Sequence, residues 1–393
     1  MNAARGQQES AQGHSLIAIL HLIRDQSPIS RIDITEILGL ASSTVSVATA
    51  QLTARGLVRE CGYATSTGGR RPVLLELNPA GGHFICVDLA NTHLSLAVMD
   101  IGYNQVHELS RLLPVAGGDA LFQTVLEALM EAAAWCEAED RPVLGIGIAT
   151  PGLVDSESGI VVEADNLNWH EFALRDKLAP RFSHPIIVLH DTLAAAYGEY
   201  LFGDPLHGPK AKNAMYVHVG HGVGAGMVLN GSLYSGGSGM AGELGHVVIN
   251  PSGPICVCGN RGCLETVASH AGVVNAYRRA LYEIRADYDL SGVGLEEIVS
   301  GAETGDVAAI RAIREAGFAV GLAIGNQVNV LNLDSVWLEG TLTHNQIFWD
   351  EASAILERVL VPKLRGTCTM SPSALGSRAG LMGIAAISLE HVL

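Results

Sequence analysis

Thiol and imidazole groups crowd one short stretch of the chain. Glu243-Leu244-Gly245-His246 is followed, nine residues on, by Cys256-Val257-Cys258-Gly259-Asn260-Arg261-Gly262-Cys263-Leu264-Glu265. Thiolate and imidazole suit a borderline-soft ion, and His246, Cys256, Cys258 and Cys263 make a Cys3His set of the kind that holds structural zinc. Four protein ligands leave no open position for an activated water, so the expected ion is a clamp on its loop, one per chain. The bland alternative is a cluster of free thiols; the close spacing and the turn glycines Gly259 and Gly262 speak for ligation. The other four cysteines, Cys61, Cys86, Cys136 and Cys368, are dispersed without framework spacing, which predicts a reducing compartment and no disulfides.

The surrounding chain must supply the elements that hold this loop. Its 393 residues predict two or three domains, and an apolar fraction of 48% can fill their cores. No uninterrupted apolar run approaches a membrane span, and Met1 to Gln12 lacks the basic-then-apolar layout of a signal peptide, so a cytoplasmic protein is expected. The net charge of −16 is uneven: residues 1–77 hold seven Arg and no Lys against six acidic residues, and the remainder is strongly acidic. A near-neutral head on an acidic body can still touch phosphates locally while the body repels nucleic acid.

That head, residues 1–78, reads as three helices and a hairpin. An apolar helical pattern from His14 to Gln26 stops at Ser27-Pro28. Ser30 can cap a second helix carrying Ile32, Ile34, Ile37 and Leu38 and ending at Gly39; Ser42 or Ser43 can cap a third running through Val45 and Val47 to Leu52. Strand-like residues on either side of the Gly68-Gly69-Arg70-Arg71-Pro72 tract complete a winged helix-turn-helix. The third helix is expected to expose Ser42, Ser43, Thr44, Ser46 and Thr49 to base edges and phosphates, with Arg70 and Arg71 reaching a narrow minor groove. The competing readings are an ordinary solvated helix face and a basic interdomain linker.

Residues 79–190 and 191–393 repeat one α/β plan. Phe84 to Asp100 reads as two strands about a polar turn, and Met215 to Asn230 repeats it about a Gly-rich turn. Strand and helix signals follow each: a helix near Asp119 to Ala138, strands at Leu144 to Ala149 and Ile186 to Leu189, and a helix from Thr192 to Phe202. In the second half a helix spans about Asp306 to Leu331, a strand Ser335 to Glu339, and helices lie near Gln346 to Leu360 and Gly376 to His391, the last packing back on the first lobe. Two like lobes imply a ligand cleft between them.

The zinc motif, the Gly145-Ile146 to Val154-Asp155 strand and turn, and Asn166-Leu167-Asn168-Trp169 resemble signatures of the ROK family (repressors, open reading frames, sugar kinases) over nearly the whole chain. The resemblance implies an actin-like body and a sugar site at Asn166, Asp191, Glu243, His246 and Glu265. His246 would then serve metal and sugar through different ring nitrogens. Acidic and amide side chains suit a polyol because they accept its hydroxyl hydrogens. Read without the motifs, Asp191 or Glu243 would be a carboxylate at a helix N-terminus and Asn166 a turn former.

Kinases of this family carry D-x-G-G-T and G-T-G-x-G-x-G phosphate loops. Here the corresponding stretches are Asp88-Leu89-Ala90-Asn91-Thr92 and Gly220-His221-Gly222-Val223-Gly224-Ala225-Gly226, with Glu339-Gly340-Thr341 in place of a third Gly-rich turn. Lost glycines remove the close backbone approach to phosphate, and Glu339 puts a carboxylate where the nucleotide would come. The expectation is a non-enzymatic sugar-responsive regulator, a repressor, which binds operator DNA as a homodimer or tetramer and a monosaccharide or derivative in the cleft. The rivals are an active sugar kinase with a regulatory head and a corepressor whose head has lost DNA affinity.

Overall fold

The computed structural model describes residues 15–65, 71–203, 211–284 and 292–393. The head begins with α1 (15–26), β1 (Ile29–Ser30), α2 (Arg31–Leu38) and α3 (Ser42–Ala54), and ends in the hairpin β2 (Val58–Tyr63) and β3 (Val73–Leu77). Ser30 and Asp33 form a reciprocal capping box at the start of α2, and Gly39 ends that helix in the left-handed conformation. The cap of α3 differs from expectation: Ala41 occupies it with no side-chain hydrogen bond, and Ser42 is already the first helical residue. Strand β1 joins the hairpin in the order β1-β3-β2.

The first lobe comprises β4 (His83–Leu89), β5 (His93–Asp100), β6 (Gln105–Leu112), α4 (Gly118–Ala138), β7 (Val143–Thr150), β8 (Leu153–Asp155), β9 (Ile160–Ala164), β10 (Trp169–Phe172), α5 (Leu174–Leu178), β11 (Ile186–His190) and α6 (Asp191–Phe202). The second comprises β12 (Ala214–Val219), β13 (Val223–Leu229), β14 (Ser232–Tyr234), α7 (Glu265–Ala268), α8 (His270–Ile284), α9 (Leu295–Glu303), α10 (Val307–Leu331), β15 (Ser335–Glu339), α11 (Gln346–Val359), β16 (Thr369–Pro372) and α12 (Ala379–Val392). Their sheets run β11-β7-β4-β5-β6 and β14-β13-β12-β15-β16, one plan written in opposite directions. In each, an antiparallel meander of three strands is extended by two parallel strands. No helix among the described residues is long and apolar enough to cross a membrane.

The closing helices of the two halves, α6 and α12, lie against each other. A Cβ on Gly383 would stand 1.7 Å from the Ala194 carbonyl oxygen, and one on Gly198 2.2 Å from that of Ala379, so the two backbones touch only because side chains are missing there. Helix α12 also covers the first sheet, where Ile384 and Ser388 fill the space above Gly147. Gly383→Val is therefore expected to force the helices apart and cost about 3 kcal/mol in urea unfolding. Gly237→Val, with open space around its Cα, should leave the midpoint nearly unchanged.

One apolar cluster runs from the head into the body. Leu16, Ile19, Leu20 and Ile23 of α1, Val45 and Leu52 of α3, Leu75 of β3, Phe84 and Cys86 of β4, and Leu381, Ile384 and Leu389 of α12 belong to it. The remainder of each lobe has its own core.

Candidate functional site

The four zinc-motif side chains converge. A ring nitrogen of His246 and the Sγ atoms of Cys256, Cys258 and Cys263 all lie within 4.8 Å of one another. Cys256 Sγ is 3.5 Å from His246 Nδ1 and Cys258 Sγ is 3.7 Å from Cys263 Sγ. The loop folds this tightly because Gly262, in the left-handed region at φ 68°, passes so close to the Asn250 carbonyl that a Cβ would fall 1.5 Å from its oxygen. Hydrogen bonding from the Asn260 backbone N–H, helped by the neighbouring thiols and His246, lowers the Cys258 thiol to about 7, while burial pushes the Cys256 and Cys263 thiols up.

The other ring nitrogen of His246 faces the opposite way. Its Nε2 lies 3.9 Å from the Glu243 carboxylate, so one imidazole looks toward the thiols and toward an acid at once. Strand β13 gathers the remaining acidic groups. Its first residue, Val223, donates its backbone N–H to Glu265 Oε2 at 3.1 Å. Two residues on, Ala225 accepts the Thr192 hydroxyl at 2.9 Å through its carbonyl and donates its own N–H to the Gly242 carbonyl at 2.9 Å. Asp191, Glu243, His246 and Glu265 are thereby hung around one strand. Thr192 spends its only proton on Ala225, so His190 Nδ1, 2.7 Å away, carries the hydrogen between them.

Asn166 stands on the first-lobe side, and its amide donates to the side-chain oxygen of Asn91. Asn91 was read only as a lost phosphate-loop glycine; its amide in fact supports the loop that bears Asn166. A second pairing also lay beyond sequence reasoning. His218 at the end of β12 and Glu339 at the end of β15 are register partners on adjacent parallel strands, and His218 Nδ1 hydrogen-bonds the Glu339 carboxylate. Burial opposes charge on both, yet each stabilises the other's ion: His218 is raised and Glu339 lowered. Burial first, and then the charges of Asp191 and Glu339, push Asp88 up to about 7 against the pull of His218. A cavity of about 290 Å³ is lined by His221, His270, Gly294 to Glu297 and Thr341, with two carboxylates and two imidazoles among its walls.

In the head, α3 exposes Ser42, Ser43 and Ser46, with Thr44 half-buried. Thr49 does not join them. It is fully buried, donating its hydroxyl to the Val45 carbonyl at 2.8 Å and accepting Arg31 Nε at 3.0 Å, because it faces α2 rather than solvent. Val47, one of the apolar residues along the third helix, is 53% exposed on the outer face. Arg71 is exposed in the segment that joins β2 to β3, two residues before β3, whereas Arg70 lies outside the described residues.

A model of the ROK family matches residues 84–391. The chain is 31% identical over 381 residues to the xylose repressor of Bacillus spizizenii, an alignment covering 95% of this chain and 94% of that protein. It is 31% identical over 330 residues to the DNA-binding transcriptional dual regulator NagC of Escherichia coli, covering 83% and 80% of the two. Among solved structures, a ROK family transcriptional regulator homologous to the E. coli MLC protein superposes with a TM-score of 0.83 at 28% identity over 97% of both chains. A ROK family glucokinase from Streptomyces griseus in complex with glucose and AMPPNP superposes with a TM-score of 0.66 at 25% identity, over 78% of this chain and 99% of that one.

Proposed function

The chain belongs to the ROK family, and from that premise we propose that it is a sugar-responsive transcriptional repressor. The observation that carries the proposal is the reach of its similarity: the identity with a xylose repressor spans 95% of the chain, head and body together. The head is a winged helix-turn-helix in which α3 enters the major groove. Ser42, Ser43, Thr44 and Ser46 supply short polar contacts, Val47 offers methyl groups to thymine, and Arg70 and Arg71 reach phosphate or minor groove from the wing.

The body binds a monosaccharide or derivative through Asn166, Asp191, Glu243, His246 and Glu265. The loop carrying Glu243 and Glu265 is held by a structural zinc. With zinc–sulfur and zinc–nitrogen bonds of about 2.3 and 2.0–2.1 Å, a tetrahedral site has S···S and S···N edges of roughly 3.8 and 3.5 Å. The separations of 3.7 and 3.5 Å between the facing ligand atoms support that assignment. His246 coordinates through Nδ1 and presents Nε2 to Glu243 and the sugar, so the metal fixes the tautomer of a sugar ligand.

The protein is not a kinase in this reading. Where phosphoryl transfer needs open backbone cradles, Asn91 is bonded to Asn166, and His218 and Glu339 neutralise each other at the strand ends. It works in the cytoplasm as a homo-oligomer on a palindromic operator. The test is DNA selected from random sequence by the native protein, titrated with D-xylose, D-glucose and N-acetyl-D-glucosamine, with ATP turnover measured on the same sample. A sugar should shift DNA affinity without nucleotide consumption; sugar-dependent phosphorylation would favour the kinase. Arg71→Ala should weaken DNA binding and reduce the log–log salt slope by about 0.9 per lost phosphate contact. An unchanged slope would return Arg71 to a linker role.

A further inference from the structure

We propose that Tyr197, Glu390 and His21 form a polar coupling that transmits sugar occupancy to the DNA-binding head; this rests on the repressor reading above. Tyr197 lies on α6, the helix whose first residue is Asp191, about 9 Å further along its axis. It is 9% exposed, and its hydroxyl donates to Glu390 Oε1 in the last turns of α12. The same carboxylate oxygen lies 3.4 Å from His21 Nε2 on α1, so one acid joins the sugar-bearing helix, the closing helix and the head.

The mechanical connection supports this. Helices α6 and α12 interlock at Gly198 and Gly383 and cannot slide past each other without backbone collision. Around the end of α12 the head has two further attachments. Arg55, the C-cap of α3, donates from Nη1 to the carbonyls of Val392 and Leu393, each at 3.1 Å. Arg24 of α1 lies 4.9 Å from the ring centre of Phe202 at the end of α6.

The seam around Tyr197 is mostly apolar, with the Arg24 guanidinium over Tyr103 and Phe202 at its edge, and apolar packing is non-directional. Glu390 accepts the Tyr197 hydroxyl and stands at an ion-pair distance of 3.4 Å from His21, so the Tyr197–Glu390–His21 set favours the head orientation in which both contacts are kept. A sugar that draws in Asp191 at the start of α6 shifts the whole rigid helix pair. Within that pair the Tyr197–Glu390 bond holds the acid in place, and the Glu390–His21 contact to the head is made in one orientation and broken in the other, the differential interaction that any two-state coupling requires. Tyr197, Glu390 and His21 are positioning residues: none of them touches sugar or DNA in this arrangement.

The test compares native protein with Tyr197→Phe, Glu390→Gln and the double variant. For each, sugar affinity is measured by calorimetry with D-xylose, D-glucose and N-acetyl-D-glucosamine, and affinity for the selected DNA with and without the active sugar. Native DNA affinity should change roughly 5- to 150-fold on sugar binding, the usual span of allosteric coupling. In each variant that ratio should collapse to within about twofold, with sugar affinity and melting temperature near native, and the double variant should be no worse than the singles. Tyr197→Phe removes one hydroxyl and keeps the ring, which guards against misfolding of the charge variant. Native ratios in Tyr197→Phe and Glu390→Gln would overturn the proposal, as would loss of sugar affinity in parallel with the ratio. A native protein that itself binds neither DNA nor sugar would overturn the repressor reading and this coupling with it, a failure visible before any variant is made.

Discussion

Cys258→Ser is expected to strip the metal, lower the melting temperature by several degrees and abolish the sugar response in one step. Cys258 is the exposed member of the ligand set, so exchanging its sulfur for oxygen removes little packing of its own. What it removes is one of four ligands, and binding free energies for structural zinc run to about 10–16 kcal/mol in small zinc-binding peptides, much of which appears as folding of the bound loop. Three backbone contacts close that loop on itself between His246 and Glu265: Leu264 donates to the Val247 carbonyl at 3.0 Å, Cys256 to the Asn260 carbonyl at 2.8 Å, and Ile249 to the Gly262 carbonyl at 2.9 Å. Release of the clamp should therefore displace Glu243, His246 and Glu265 together. Metal content by atomic emission, thermal unfolding and sugar calorimetry on one preparation decide the matter. A metal-free variant with native sugar affinity would show that the loop holds its shape unaided.

Asp191→Asn should abolish the sugar response while ATP consumption stays at background in variant and native protein alike. The carboxylate sits at the N-terminus of α6, where it accepts the Thr192 backbone N–H at 2.6 Å and keeps its remaining acceptor capacity for ligand. Sites built to bond a hydroxyl discriminate strongly by such groups, and a loss of roughly two powers of ten in sugar affinity is expected. An active kinase predicts the reverse pattern: measurable phosphorylation in the native protein, lost by orders of magnitude in the variant while sugar affinity survives. Radiolabelled ATP with each sugar of the panel separates the two.

The sequence was informative wherever a local pattern also fixed local geometry. The E-x-G-H and C-x-C-G-x-x-G-C spacings bring the His246, Cys256, Cys258 and Cys263 side chains together, and the recurrence of Phe84 to Asp100 in Met215 to Asn230 exposed the duplication that the two sheet orders share. It was silent where contacts cross the chain. His218 and Glu339 are 121 residues apart and meet only because β12 and β15 are parallel neighbours. Strand β6 was missed since it lies at a sheet edge, where exposed side chains leave no apolar run to read. Thr49 and Val47 exchanged roles for another reason: both fit a helix, and only the direction from which α1 and α2 approach decides which side is inward. A methyl pair facing outward and a hydroxyl facing inward invert the usual reading of polarity.

The single apolar cluster that runs from Leu16 and Ile19 through Leu52 to Phe84, Ile384 and Leu389 bears on how such regulators diversify. A reader of DNA joined to its sensor by a flexible tether can be cut out and grafted onto another sensor. Here the cut would pass through a common interior, leaving oil-like faces bare on both pieces. New specificities in this architecture should therefore arise by point changes within an intact chain, on the outer face of α3 or around the cleft, more readily than by recombination of whole modules. A biosensor engineered from it should carry the α12 face along with any transplanted head.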